Sequence, residues 1–148
     1  MNTKIPPPIV TLVCALIIFL SRGAFTSYEF NYQPIVSLIF LILGILTLFS
    51  AASSFKKQET TVNPMSPEKA TSLVVEGAFK YTRNPMYLAM TLVLIAISIQ
   101  FNLIGGFLTV VVFVTYISKF QIAPEEEAME KNFGEDYLAY KKSTRRWI

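Results

Sequence analysis

The sequence predicts an all-α, polytopic integral membrane protein with about four transmembrane helices and an amphipathic helical tail on the cytoplasmic side. Three observations carry this. Hydrophobic residues make up 53% of the 148-residue chain and the mean hydropathy is +0.48, too apolar for a soluble domain of this length. Apolar residues gather in four runs of near membrane-crossing length, and basic residues concentrate in every second connection between them.

The first span, about 9–22, is entered through Pro6-Pro7-Pro8. It is read as retained, because cleavage after Ala24 would place Arg22 where a signal peptide needs a small residue. The second span covers about 34–53, the third about 85–99 and the fourth about 103–122. Only Gln100-Phe101-Asn102 separates the last two, so they must form a tight antiparallel hairpin. Gly105-Gly106 opens the fourth span and permits close helix approach. Between the second and third spans, residues 55–84 form a turn-rich loop, and residues 123–148 form the tail. In the tail Ile122, Met129, Phe133, Tyr137 and Tyr140 share one helical face, which suits helices lying on the membrane surface, with Gly134 breaking them into two pieces. No repeat or separate soluble domain interrupts 1–148, which is read as one domain.

Lys4 precedes the first span, Lys56, Lys57, Lys69, Lys80 and Arg83 fill the central loop, and Lys119, Lys131, Lys141, Lys142, Arg145 and Arg146 end or follow the fourth. The other two connections hold Arg22 alone. Both termini and the loop are therefore expected on the cytoplasmic side, in the inner membrane of a bacterium. Membrane lipids are the expected surroundings, and no nucleic-acid partner is expected.

The chain has no histidine, which excludes Ser-His-Asp and Cys-His triads and His-ligated metals. Cys14 is the single cysteine, inside the first span, so neither a disulfide nor a metal site is expected. Chemistry must run on carboxylates, Arg, Lys, Tyr, amides or a bound cofactor.

Two motifs stand where spans begin and end. Arg83-Asn84-Pro85-Met86-Tyr87 opens the third. Asn is a favoured helix N-cap, Pro suits the first helical position, and Arg at a span end can snorkel to headgroups. The same helix start offers free N–H groups and partial positive charge to an anion. Glu125-Glu126-Glu127 follows the fourth span. Glu127 reads as a solvated residue paired with Lys131, whereas Glu125 and Glu126 sit close under hydrocarbon and need partners. Arg145-Arg146-Trp147-Ile148 reads most simply as an interfacial anchor, with a substrate carboxylate as the minority use of the arginines. Tyr137 and Tyr140 read as packing residues.

From Thr60 onward the chain resembles the bacterial branch of the isoprenylcysteine carboxyl methyltransferase family, related to the phospholipid N-methyltransferases. The resemblance rests on Thr60-Thr61-x-x-Pro64, on Leu73-Val74-x-x-Gly77-x-Phe79-Lys80-Tyr81-Thr82-Arg83-Asn84-Pro85-Met86-Tyr87, and on the Glu125-Glu126 to Trp147 tail. It implies S-adenosylmethionine as cofactor, held by Gly77, Tyr81, Asn84, Tyr87, Glu125 and Glu126, with Arg83 and Glu126 as catalytic residues and Arg145 and Arg146 toward the substrate. Many members have His where this chain has Asn84.

The expected acceptor is a lipophilic small molecule or lipidated substrate. Carboxylate O-methylation of an isoprenylcysteine-like group leads, since a carboxylate needs no general base. Methylation of a phospholipid amine or a thiol on the same scaffold, a nicotinamide-dependent membrane reductase and a non-catalytic membrane scaffold are the alternatives.

Overall fold

The computed structural model describes residues 5–26, 28–58 and 71–148, so Lys4, Lys69 and the Thr60-Thr61-x-x-Pro64 stretch lie outside the described residues. Among the described residues there are five α-helices: α1 (Pro7–Leu20), α2 (Gln33–Lys57), α3 (Pro85–Phe101), α4 (Leu103–Ile117) and α5 (Ala123–Ser143). A π-helical turn, Ser118–Ile122, joins α4 to α5 without a break. Single 3-10 turns stand at Ser21–Gly23 and Gly77–Lys80. By length and composition α2 and the continuous run Leu103–Ser143 could each cross a membrane, while α1 and α3 are shorter apolar helices.

Proline starts α1, α2, α3 and α5 within their first turn, where its missing N–H costs nothing. The predicted hairpin is tighter than the three-residue link suggested, because α3 runs to Phe101 and Asn102 alone separates it from α4. Asn102 makes that turn possible. Its Oδ1 accepts from Gly105 N at 3.0 Å and its Nδ2 donates to Ser21 Oγ at 3.1 Å, capping α4 and fastening the end of α1.

The helices pack as α2 on α3, α3 on α4, and α1 against both α3 and α4. Small residues set the distances, as expected where lipid supplies no hydrophobic drive between helices. A Cβ on Gly44 of α2 would lie 3.0 Å from the Ala89 carbonyl oxygen of α3, and one on Gly106 of α4 would strike Ser98 of α3. Ser37 Oγ donates to Ala96 O at 2.8 Å and Gln33 Nε2 to Ile99 O at 2.6 Å, adding interhelical hydrogen bonds between α2 and α3. The main core joins Cys14 and Ile18 of α1, Tyr87 and Leu94 of α3, and Phe113, Ile117 and Ile122. Around it α2 exposes Leu38, Ile42, Leu46 and Phe49, a surface suited to lipid.

The tail breaks at Gly134 as expected but is not separated from α4 at Pro124. The π turn carries α4 directly through Pro124, and the chain bends instead at Gly134, whose φ of 51° and ψ of −123° no side chain adopts without strain. That bend turns the C-terminal residues back onto the start of α3. Tyr137 and Tyr140 are buried as expected, and the Tyr140 hydroxyl donates to the Phe79 carbonyl oxygen at 2.7 Å.

Candidate active site at the start of α3

The residues before α3 are held by the returning tail. Arg83 N donates to Arg145 O at 2.9 Å, while Thr82 Oγ1 at 3.1 Å and Asn84 Nδ2 at 2.9 Å both donate to Arg146 O. Asn84 occupies the N-cap position without capping through its side chain, since its amide is committed to the tail. Thr82 Oγ1 instead accepts from Asn84 N at 3.1 Å.

Arg83 does not snorkel. Its side chain is 9% exposed, with Nη1 donating to the Thr144 and Lys141 carbonyl oxygens and Nη2 contacting Glu126 Oε1 at 2.7 Å. Arg146 clamps the same carboxylate from the other side, with Nε 3.1 Å from Oε1 and Nη2 2.6 Å from Oε2. Two guanidiniums thus share one buried carboxylate, the geometry for which Arg is suited. Burial alone would raise the Glu126 carboxyl, but the bonds from Arg146 and Arg83 prevail and hold it below the ordinary carboxylate range. Arg146 thus has an intramolecular partner in Glu126, and Trp147 Nε1 donates to Ser118 Oγ at 3.2 Å.

Glu125 faces a different partner. The Tyr87 hydroxyl donates to its Oε1. Burial pushes the Glu125 carboxyl up to about 7, with the hydrogen bond from Tyr87 opposing and the Glu126 charge adding to the rise. Near neutral pH Glu126 is ionised and Glu125 only partly so, and the two arginines are then not fully neutralised by the carboxylates beside them. The Nε–H of Arg83 is buried and makes no hydrogen bond of good geometry among the described residues, with the Tyr137 hydroxyl as the neighbouring polar group on this guanidinium. Such a donor suits an anion, and Glu125 suits an N–H or O–H donor.

The structure thus brings together Arg83, Asn84, Tyr87, Glu125, Glu126 and Arg146. Arg145 joins through its backbone, with its side chain exposed. Gly77 and Tyr81 line a separate open groove of about 520 Å³ between α2 and the Gly77–Lys80 turn, with Leu46, Thr47, Ser50, Ala78 and Lys80. Tyr81 is 79% exposed. Gly77 has φ +60° and a Cβ there would lie 2.5 Å from Ser54 Oγ, which accounts for glycine on backbone grounds. Glu127 is exposed as expected, but among the described residues the exposed ion pair is Lys141–Glu130 at 3.5 Å and not Glu127–Lys131.

Sequence reasoning missed Thr82 and Gln121. Thr82 is a buried hydroxyl beside the motif. Gln121 is a polar residue at the end of an apolar span, a signal that was available.

The profile of the phospholipid methyltransferase family matches residues 32–136, and the chain belongs to that family. It is a membrane-helix methyltransferase, of a family whose members use S-adenosylmethionine. An uncharacterized protein of Haemophilus influenzae is 40% identical over 63 residues, which are 43% of this chain and 100% of that protein. No solved structure matches the chain.

Proposed function

We propose that this chain transfers the methyl group of S-adenosylmethionine to a lipophilic acceptor at the start of α3, with carboxylate O-methylation of an isoprenylcysteine-like group as the leading acceptor chemistry. The observation that carries this reading is the Arg83–Glu126–Arg146 cluster beside Tyr87 and Glu125, buried at Arg83 and Glu126 and open at Arg146, where incompletely neutralised arginines and the Arg83 Nε–H suit carboxylates.

When bound, S-adenosylmethionine supplies a methyl group on a positively charged sulfur, so an acceptor lone pair that forms the new bond releases a neutral thioether. The protein has then to align and to exclude water. Arg83 offers its Nε–H to a carboxylate while Glu126 and the tail carbonyls fix its plane. Arg146, 41% exposed at the side chain, is the arginine of the pair that an acceptor anion can reach. Glu125 and the Tyr87 hydroxyl line the approach to the core, and Glu126 acts as a positioning residue for both arginines.

A second acceptor class is favoured by one observation. Glu125, pushed up to about 7, is a base that would ionise near neutral pH, and an amine or thiol needs such a base where a carboxylate does not. The absence of histidine therefore does not by itself disfavour those acceptors. Radiolabelled methyl transfer to prenylcysteine, aminophospholipid and thiol acceptors tests both. Label in the prenylcysteine carboxyl, released by alkaline hydrolysis, supports the leading reading; alkali-stable label only on amine or thiol moves the assignment to the second; label in none, with folded protein, removes the enzyme reading for these acceptors.

A further inference from the structure

One buried polar group has no part in the site described so far. Gln121 lies in the π-helical turn Ser118–Ile122 and is 2% exposed. Its Nε2 donates to the Ile5 carbonyl oxygen at 2.8 Å, tying the end of α4 to the entry of α1. Its Oε1 is buried and accepts no hydrogen bond among the described residues. A buried amide oxygen in that state is costly, and reversing the amide is no remedy, because that would set oxygen against the Ile5 oxygen. The tether alone accounts for half of the side chain.

Position supplies the rest. Gln121 stands four residues before Glu125 on one continuous helix, so the two share a face one turn apart. Arg83, whose Nε is the other buried unpartnered side-chain atom among the described residues, stands four residues before Tyr87. Tyr87 and Glu125 are hydrogen bonded to each other. Along the chain an unpartnered donor thus precedes Tyr87 and an unpartnered acceptor precedes Glu125, the two residues of that contact. A π turn joins α4 to this stretch. Its extra residue rotates the following helix by on the order of 100° relative to α4, and π turns inside α-helices are frequent at functional sites.

We propose that Gln121 belongs to the cofactor site, its free Oε1 accepting a hydrogen bond from an N–H donor of S-adenosylmethionine, either the adenine amine or the α-ammonium group. This rests on the function proposed above. A neutral amide oxygen suits an N–H and repels an anion, so Gln121 complements Arg83 and does not duplicate it. The full chain in detergent, titrated calorimetrically with adenosylhomocysteine, provides the test. Gln121→Met deletes the acceptor; Gln121→Glu keeps an acceptor oxygen and, when protonated, can keep the bond to Ile5. Adenosylhomocysteine should bind Gln121→Met at least tenfold more weakly than wild type, and Gln121→Glu within about threefold. In wild type, one of two analogues, N6-dimethylated or lacking the α-amino group, should lose affinity, and that loss should vanish in Gln121→Met. Equal binding by folded Gln121→Met overturns the inference and leaves Gln121 as a tether. Full wild-type affinity for both analogues overturns it without any variant. No binding by the wild type would instead remove the proposed function itself.

Discussion

Burial raises Glu125 to about 7 while paired arginines lower the adjacent Glu126, so two consecutive carboxylates have opposite reasons to be where they are. With an amine or thiol acceptor and saturating cofactor, the rate should fall as pH drops through about 7, because Glu125 then takes up its proton and is lost as a base. With a carboxylate acceptor the same limb should be absent. Tyr87→Phe removes the hydrogen bond that lowers the Glu125 value, so any such limb should move to higher pH; a shift to lower pH would contradict the assignment. Glu126→Gln leaves the buried Arg83 without its counter-charge and should destabilise the fold by about 3 kcal/mol, read by thermal or chemical unfolding. Glu127→Gln, on an exposed side chain, should leave unfolding unchanged within about 0.5 kcal/mol. The sequence marked Glu125 and Glu126 as needing partners, which proved right, but it could not show that Glu126 is engaged by Arg83 and Arg146, because that contact joins positions 43 and 20 residues away.

At the level of elements, the bend at Gly134 governs whether the tail reaches α3. Nothing lies within 4 Å of a Cβ built on Gly134, so Gly134→Ala should cost only its backbone strain, about 1 to 3 kcal/mol, and should loosen Arg146 from Glu126. Hydrogen exchange at Arg83 N, which donates to Arg145 O, reports that loosening directly; unchanged protection and stability would show that the bend is not needed. The glycine was legible as a break, whereas the direction of the return was not, since φ and ψ at one residue decide it. The hairpin of α3 and α4 was legible because hydropathy and a short link leave one solution. The continuity of α4 into α5 was not, because Pro124 reads as a start and is tolerated in the first turn of a helix already under way.

Across the whole molecule, hydropathy specifies a helical membrane protein, while the proposed function depends on joining the start of α3 to the end of α4 and to the returned tail. Small residues at the α2–α3 and α3–α4 contacts let the helices approach closely, and α2 presents an exposed apolar face away from the charged cluster. The family assignment names methyl transfer, and the proposed function puts the cofactor carboxylate and its donors at the cluster, whose groups complement them. Titration of the detergent-solubilised chain with adenosylhomocysteine and, separately, with NADPH is the most direct test of this placement. The expected result is one adenosylhomocysteine bound per chain, at least tenfold weaker binding in folded Arg83→Ala, no change in Glu127→Gln, and no binding of NADPH. Folded wild-type protein that ignores adenosylhomocysteine, or that binds it equally well in Arg83→Ala, would contradict a cofactor site at the start of α3.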